Sequence, residues 1–260
     1  MILDEIAAKT RIRVEREKEK VSLEEMKEKA LSCKLDTGFP FEKRLASPGI
    51  TFICEVKKAS PSKGVIAEDF DYLAIAREYD RAGADAMSIL TEPDYFMGSI
   101  DYLEEIAGEV KDIPLLRKDF TVDEYMIYQA KVAGASVVLL ICALLDEDTI
   151  RNYIKICDQL GLSALVEAHD GEEIKMAIAA GARIIGVNNR NLKDFTVDIH
   201  NGIRLRSQVP DHIYFVAESG IKTRQDIVEL ENGKVNAVLI GETFMRSQDK
   251  KAMLAELKGE

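Results

Sequence analysis

Several apolar runs of this chain end in a charged or amide residue, where a buried strand would normally stop at a turn. The polar residues at these ends are Lys57, Lys118, Glu167, Asn188 and Glu218. Such side chains can donate or accept protons and bind hydroxyl groups, so the set suits acid–base chemistry. Because unpaired charges are costly inside buried strands, their recurrence at the run ends predicts an enzyme.

The first of these ends lies in the segment CEVKKASPSKG, residues 54–64. Side chains alternate along a strand, so Glu55 and Lys57 share a face and can form an ion pair that holds the lysine. Ser60 begins a loop that contains hydroxyl groups, a lysine and a glycine. A buried salt bridge followed by a turn is the structural alternative. Such a pair adds little net stability, which favours the functional interpretation.

The segment LLRKDF, residues 115–120, places Leu116, Lys118 and Phe120 on one strand face. Burial should lower the pKa of Lys118 unless a carboxylate offsets this, and the lysine could then act as a general acid near neutral pH. The alternative is a lysine whose ammonium group extends to solvent. Phe96 follows the second apolar run and could hold an aromatic group together with Phe120, with local packing as its alternative.

Glu167 and Asn188 end the fifth and sixth apolar runs. Glu167 is a candidate general base, although a glutamate at this point can equally cap a helix. Asn188 can bind a hydroxyl group by donating or accepting a hydrogen bond, and Arg190 adds positive charge nearby. His169 is expected to be a loop residue rather than a catalyst.

Two glycine-containing segments follow the seventh and eighth runs. They are Glu218-Ser219-Gly220 and Gly241-Glu242. Barrel enzymes often bind phosphate at this place with backbone N–H groups and the start of a short helix. Glycine allows the backbone to approach the oxyanion closely. The two segments together therefore predict a phosphate site, although either one alone would be a weak signal.

The elements that must position these residues alternate between strands and helices. Gly83, Gly134, Gly181 and Gly233 each close a helical pattern before an apolar run, as glycine commonly does at a helix C-terminus. Strands that are buried on both faces and end in polar residues predict an α/β fold, a single (β/α)8 TIM barrel over residues 46–260. We expect strands at 51–57, 86–90, 114–118, 136–141, 163–167, 183–188, 213–218 and 236–240, and helices at 71–82, 99–110, 122–133, 146–160, 171–180, 199–207, 223–231 and 248–258.

Residues 1–45 do not follow this pattern and are predicted to form an N-terminal helical extension of one domain, 1–260. The stretch from Thr10 to Lys29 is strongly charged, with only scattered apolar residues. One interpretation is a solvated helix with a thin apolar stripe. The other is a segment that lies across the barrel and helps to cover the site.

The composition limits which kinds of molecule the chain can bind. A net charge of -11 argues against binding to nucleic acid, while a locally basic pocket could still bind a small anion. The four cysteines have no C-x-x-C spacing and the three histidines form no metal constellation, so no metal site is expected. The sequence has no signal-peptide pattern and no apolar stretch long enough to span a membrane, which predicts a cytoplasmic chain.

Taken together, these segments resemble the indole-3-glycerol phosphate synthase family, and the resemblance covers nearly the whole chain. The motifs that carry it are CEVKKASPSKG (54–64), SILTEPDYFMGS (88–99), LLRKDF (115–120), LVEAH (165–169), GVNNRNL (186–192) and AESGI (217–221). The resemblance implies a carboxy-lyase of tryptophan biosynthesis that needs no metal or organic cofactor. Its reaction converts 1-(2-carboxyphenylamino)-1-deoxyribulose 5-phosphate to indole-3-glycerol phosphate, with loss of carbon dioxide and water.

The resemblance also implies roles for the candidate residues. Lys118 would be the general acid and Glu167 the general base. Lys57, oriented by Glu55, would hold the substrate carboxylate and could serve as a second acid. The remaining members of the site would be catalytic helpers at Asn188 and Glu218 and substrate-binding residues at Ser60, Phe96, Phe120, Arg190, Ser219, Gly220, Gly241 and Glu242.

Two other functions are compatible with this fold. One is another phosphate-binding barrel enzyme, such as phosphoribosylanthranilate isomerase, whose chemistry requires a Cys/Asp acid–base pair where this chain has Glu55 and Lys57. The other is a non-catalytic binding protein, since a fold does not determine function. The complete set of polar strand ends argues against the second. We expect a monomer that acts on a small sugar phosphate.

Overall fold

Eight parallel strands form a closed barrel in the computed structural model, which describes residues 2–190 and 196–260. Around the barrel each strand is hydrogen-bonded to its neighbours in sequence, and the last strand pairs with the first. The predicted TIM barrel is therefore confirmed. The barrel strands are β1 Thr51–Val56, β2 Ala86–Leu90, β3 Leu115–Lys118, β4 Val137–Ile141, β5 Ser163–Ala168, β6 Ile184–Asn188, β7 Tyr214–Glu218 and β8 Ala237–Ile240. A separate antiparallel pair of short strands, Ala59–Ser60 and Gly64–Val65, follows β1.

Helices follow the strands as the sequence predicts. Asp170 illustrates why they begin where they do, because its side chain accepts hydrogen bonds from the N–H groups of Glu172 and Glu173. A short helix, α11, precedes the last predicted helix. The helices are α1 Ile2–Lys20, α2 Leu23–Leu31, α3 Pro40–Leu45, α4 Tyr72–Ala82, α5 Ile100–Glu109, α6 Glu124–Val132, α7 Glu147–Gln159, α8 Gly171–Ala179, α9 His200–Arg206, α10 Arg224–Asn232, α11 Glu242–Arg246 and α12 Lys250–Lys258.

Within the described ranges, no helix is both long enough and apolar enough to cross a membrane. Asn191 and Leu192, the last two residues of the motif GVNNRNL, lie outside those ranges.

Apolar side chains that alternate along the strands fill the interior of the barrel. Ile53, Leu116, Leu165 and Leu239 belong to one buried cluster there, and Phe41 of α3 joins it. The intervening side chains pack outward against the surrounding helices in a second, larger cluster. This alternation brings Glu55, Lys57 and Lys118 to the same side of their strands as the interior residues, so they meet at the carboxyl ends.

The N-terminal extension is part of the packed structure. Leu3, Ile6 and Val14 of α1 are buried, and the first two of these residues also line the cavity at the carboxyl ends of the strands. Helix α2 packs against α6. The extension therefore lies across the barrel, as the second of the two interpretations predicts, and the thin apolar stripe of the first interpretation is the face that it buries.

Arg13 anchors α1 to the strands that carry the site. Its guanidinium Nη2 donates to both carboxylate oxygens of Asp119, at 2.9 and 2.8 Å. Asp119 is buried and also accepts hydrogen bonds from Thr91 and Arg117. Because Asp119 follows Lys118 directly, this cluster fixes the end of β3 and the helix above it to one another.

Arg13→Ala should destabilise the fold, because it removes two charge-assisted hydrogen bonds from buried Asp119. We expect the free energy of unfolding to fall by about 2 kcal/mol, since Arg117 still neutralises the carboxylate. Urea unfolding followed by circular dichroism measures the change. Arg16→Ala, an exposed position on the same helix, is the matched control. Equal stability of the two variants would show that the contact with Asp119 does not hold α1 in place.

Candidate active site

A cavity of about 910 Å³ opens at the carboxyl ends of the strands. Its volume lies in the range of small-molecule sites. Every residue singled out for the site from the sequence lines it, namely Glu55, Lys57, Ser60, Phe96, Lys118, Phe120, Glu167, Asn188, Arg190, Glu218, Ser219, Gly220, Gly241 and Glu242.

Lys118 of β3 lies between two glutamates that come from β5 and β7. Its Nζ is 3.1 Å from Glu218 Oε2 and 3.3 Å from Glu167 Oε2. Burial alone would lower the pKa of Lys118, but the two carboxylates outweigh it and raise the pKa above its ordinary value. The exception allowed for in the sequence analysis therefore applies: carboxylates offset burial, and the pKa of Lys118 is not lowered. Lys118 is a cation throughout the neutral pH range.

The two glutamates differ in their ionisation although both are buried. Burial opposes the charge of Glu167, yet the positive charges of Lys118 and His169 lower its pKa to about 2. Burial and the negative charge of Glu167 raise the pKa of Glu218 to about 7, against the pull of Lys118. Two carboxyl groups whose environments separate their pKa values in this way are suited to different steps of acid–base chemistry.

Glu55 and Lys57 form the ion pair that their alternation predicts. Gly241 leaves the space for it, because a Cβ atom there would lie 2.2 Å from Glu55 Oε2 and 2.8 Å from Lys57 Nζ. Gly241, predicted only as a phosphate-binding residue, thus also accommodates this pair. Gly186 serves Glu218 in the same way, since its Cβ would lie 2.7 Å from the Oε1 atom of that residue.

His169 is brought into the site by the structure, although its sequence position indicated only a loop residue. Its Nε2 lies 3.3 Å from Glu167 Oε1, and its Nδ1 lies 3.1 Å from Glu173 Oε2. Burial alone would lower the pKa of His169, but these carboxylates raise it to about 10. The available signal was a histidine two residues after the candidate base with a glutamate four residues further on.

The loop after β7 has an unusual backbone at the predicted phosphate site. Ser219 and Gly220 both have positive φ angles, 69° and 86°. Asn189, which the sequence analysis did not single out, supports this loop because its Nδ2 donates to the Ser219 carbonyl oxygen at 3.1 Å. Gly220 is also required for space, since a Cβ there would lie 2.4 Å from Val197 Cγ1.

Cationic side chains gather around Glu242 at the start of α11. Lys63 Nζ and Arg190 Nη2 lie 3.8 and 3.9 Å from its carboxylate oxygens, and Arg246 donates to it at 3.1 Å. Gly241, the residue before the helix, offers no capping side chain for the first N–H groups. This end of the cavity therefore combines positive charge with backbone donors, although the whole chain is acidic.

Phe96 and Phe120 lie together at another part of the cavity wall, with ring centroids 6.0 Å apart. Buried Glu92 organises the loop that carries Phe96, because its carboxylate accepts the backbone N–H groups of Asp94, Tyr95 and Phe96. Apolar residues that were not predicted from the sequence also line the cavity, among them Ile2, Leu3, Ile6, Leu139 and Ile141. The inward alternation of β4 was the available signal for the last two.

Comparison with known proteins identifies the relatives of this chain. The family model of indole-3-glycerol phosphate synthase matches residues 3–257. The chain belongs to the indole-3-glycerol phosphate synthase family. A member from Ruminiclostridium cellulolyticum is 59% identical over 259 residues, covering 100% of this chain and 99% of that protein. Another from Lacticaseibacillus paracasei is 52% identical over 258 residues, covering 99% of each.

Solved structures of other barrel proteins resemble this member of the indole-3-glycerol phosphate synthase family in fold alone. The 3-hexulose-6-phosphate synthase of Salmonella typhimurium has a TM-score of 0.67 at 13% identity, covering 81% of this chain and 97% of its own. The phosphoribosylanthranilate isomerase of Thermotoga maritima has a TM-score of 0.57 at 15% identity, covering 81% and 100%. Among residues 2–190 and 196–260, no group of three or more His, Cys, Asp or Glu side chains could hold a metal ion.

The effect of Glu218→Gln on the free energy of unfolding should be more favourable at about pH 8 than at about pH 5. The pKa of Glu218 rises from its ordinary value of 4.5 to about 7 in the fold. Between these values the folded chain keeps a proton that the unfolded chain has released, so the buried anion costs stability mainly above the higher value. Urea unfolding at the two pH values measures the difference. An equal effect at both would mean that Glu218 does not titrate near neutral pH in the fold.

Proposed function

We propose that this chain catalyses the synthesis of indole-3-glycerol phosphate from 1-(2-carboxyphenylamino)-1-deoxyribulose 5-phosphate, with loss of carbon dioxide and water, in tryptophan biosynthesis. The observation that carries the proposal is the position of Lys118 between Glu167 and Glu218, in a cavity that also contains Lys57. Together with the family membership, this set favours the synthase over an isomerase, whose acid–base pair would replace Glu55 and Lys57.

The ends of the substrate correspond to different parts of the cavity. The phosphate binds at the loops after β6, β7 and β8, where positive charge and backbone N–H groups are available. Ser60 adds a hydroxyl group from the loop after β1, the strand that pairs with β8. The aryl ring packs against Phe96 and Phe120, whose ring separation supports contact with a third aromatic group. The residues assigned to the phosphate end are Ser60, Arg190, Ser219, Gly220, Gly241 and Glu242.

Ring closure requires the aryl carbon that bears the carboxylate to attack the ketone carbon. Lys57, held by Glu55, binds the carboxylate and keeps the chain bent, so that the two carbons approach one another. As the new carbon–carbon bond forms, the carbonyl electrons move to oxygen, which takes a proton from Lys118. The raised pKa of Lys118 ensures that this proton is present at neutral pH. Loss of carbon dioxide then restores the aromatic ring.

Dehydration completes the indole. A lysine, either Lys118 or Lys57, protonates the departing hydroxyl group, and Glu167 takes a proton from the five-membered ring as the double bond forms. The low pKa of Glu167 keeps it ionised and able to accept that proton. The hydroxyl groups of the substrate are held in position, relative to the lysines and Glu167, by Asn188, Glu218 and Ser219.

The proposal extends to the state in which the chain acts. We propose that residues 1–260 form one domain that works as a cytoplasmic monomer, without cofactor, metal or nucleic acid. The acidic net charge of -11 supports the last point, because it repels a phosphate backbone.

Lys118→Ala should lower kcat by about 10²-fold or more, because it removes the proposed general acid. Binding of phosphate-containing ligands should persist, since the phosphate contacts lie on other loops. A fluorescence assay of indole-3-glycerol phosphate formation measures turnover, and calorimetry with the product measures binding. Lys155→Ala, an exposed lysine of α7, is the control. Turnover close to that of the unsubstituted enzyme would remove Lys118 from the mechanism.

Gly241→Ala should lower kcat as well as raise KM. The added methyl group would displace Glu55 and Lys57, which it would approach within 2.2 and 2.8 Å. Displacement of a catalytic group by about 1 Å can cost about 10²-fold in rate. Steady-state kinetics give both constants. Gly108→Ala, a helix position where a Cβ meets nothing within 4 Å, is the control, and a pure KM effect at Gly241 would restrict its role to the phosphate.

A further inference from the structure

The carboxylate of Glu167 has two basic partners, one on each oxygen. Lys118 Nζ lies 3.3 Å from Oε2, whereas His169 Nε2 lies 3.3 Å from Oε1. The proposed mechanism assigns work to Lys118 and to Glu167 but none to His169. The imidazole is 21% exposed and lies close enough to Glu167 for an ion pair, although its Nε2 makes no hydrogen bond within the described residues, and this contact has no assigned purpose.

His169 is itself held firmly by Glu173, which lies in the first turn of α8. The Nδ1 atom lies 3.1 Å from Glu173 Oε2, and the backbone N–H of His169 donates to the same oxygen at 2.7 Å. Both ring nitrogens thus face carboxylates, an arrangement that favours the doubly protonated ring. Accordingly the pKa of His169 is raised to about 10, although burial acts in the opposite direction.

The other charges around Glu167 and His169 explain why Lys118 alone is insufficient to keep Glu167 ionised. Lys118 is shared with Glu218, so without His169 two buried carboxylates would compete for one ammonium group. The groups that surround Glu167 and His169 are Lys118 from β3, Glu218 from β7, Glu173 from α8, and Cys142 and Asp170 in the adjoining loops. Burial and the nearby carboxylates raise the pKa of Cys142 to about 12, so it adds no charge near neutral pH.

We propose that His169 is a positioning residue for Glu167: its positive charge, 3.3 Å from Oε1, acts together with Lys118 to hold the carboxylate in place as an anion ready to take a proton. Glu173 orients the imidazole for this purpose. The inference rests on the proposed function, because it assumes that Glu167 is the base of the dehydration step. Because Lys118 lies at Oε2 and His169 at Oε1, the orientation of the Glu167 carboxylate does not depend on the substrate.

The test uses His169→Gln, which removes the positive charge and keeps a hydrogen-bond donor. The carboxyl carbons of glutamate are labelled with 13C, and Glu167 is assigned by comparison with Glu167→Gln. Titration from about pH 7 down to about pH 1 follows the ionisation of Glu167 without any turnover, because its pKa is lowered in the fold. Steady-state kinetics on the same variants give kcat and KM. His212→Gln, an exposed position before β7, is the matched control.

In His169→Gln the titration midpoint of Glu167 should rise by about one pH unit or more, because an opposite charge has been removed. We expect kcat to fall roughly tenfold or more, since a displaced base reacts slowly. KM should change by less than about threefold, because the phosphate and aryl contacts lie elsewhere. A residue with a merely structural role would lower thermal stability without moving the midpoint.

An unchanged midpoint in His169→Gln overturns the proposal, and so does a shifted midpoint with an unchanged kcat. If that variant does not fold, Glu173→Gln provides the same test, because it releases the imidazole. In that variant the pKa of His169, read from its ring carbon signals, should fall towards its ordinary value of 6.5 and kcat should fall with it. The unsubstituted protein could also make no indole-3-glycerol phosphate while the midpoint of Glu167 still rises in His169→Gln. That result would contradict the proposed function, not the pairing of His169 with Glu167.

Discussion

A buried ammonium group imposes the main constraint on this structure. Lys118 can remain charged at the end of β3 only because Glu167 and Glu218 reach it from β5 and β7. Three alternate strands must therefore end at the same level. The closed barrel meets this requirement, since all its strands are parallel and in fixed register. Glycines matter for the same reason, because Gly186 leaves the room that the Glu218 carboxylate occupies.

The fold and the polar floor of the site could be predicted from the sequence because both depend on local patterns. Strand direction tells which end of an apolar run is the carboxyl end, and alternation tells which side chains point inward. The ionisation of Lys118 could not be predicted, since it depends on distances between strands far apart in sequence. His169 and Glu92 were missed for a related reason. Their importance comes from the atoms they face, which no periodicity reveals.

The two ends of the cavity are supported by different means. At the aromatic end, α1 contributes apolar side chains and the carboxylate of Glu92 gathers three backbone N–H groups into a fixed loop. At the proposed phosphate end, Asn189 ties the loop after β7 to that after β6. The catalytic groups lie between, on strand ends. A small shift of either loop would change which substrates fit while the proton-transferring residues stayed in place.

The contact between Arg13 and Asp119 also bears on how the chain is made. The first helix leaves the ribosome 106 residues before its partner, a delay of roughly 5 to 20 seconds at ordinary rates of translation. During that time α1 has no docking surface. Its dense charge and few apolar side chains suit this interval, because a helix of this composition stays hydrated rather than associating with other nascent chains. The helix that lines the active-site cavity is thus synthesised well before the strand end that holds it in place.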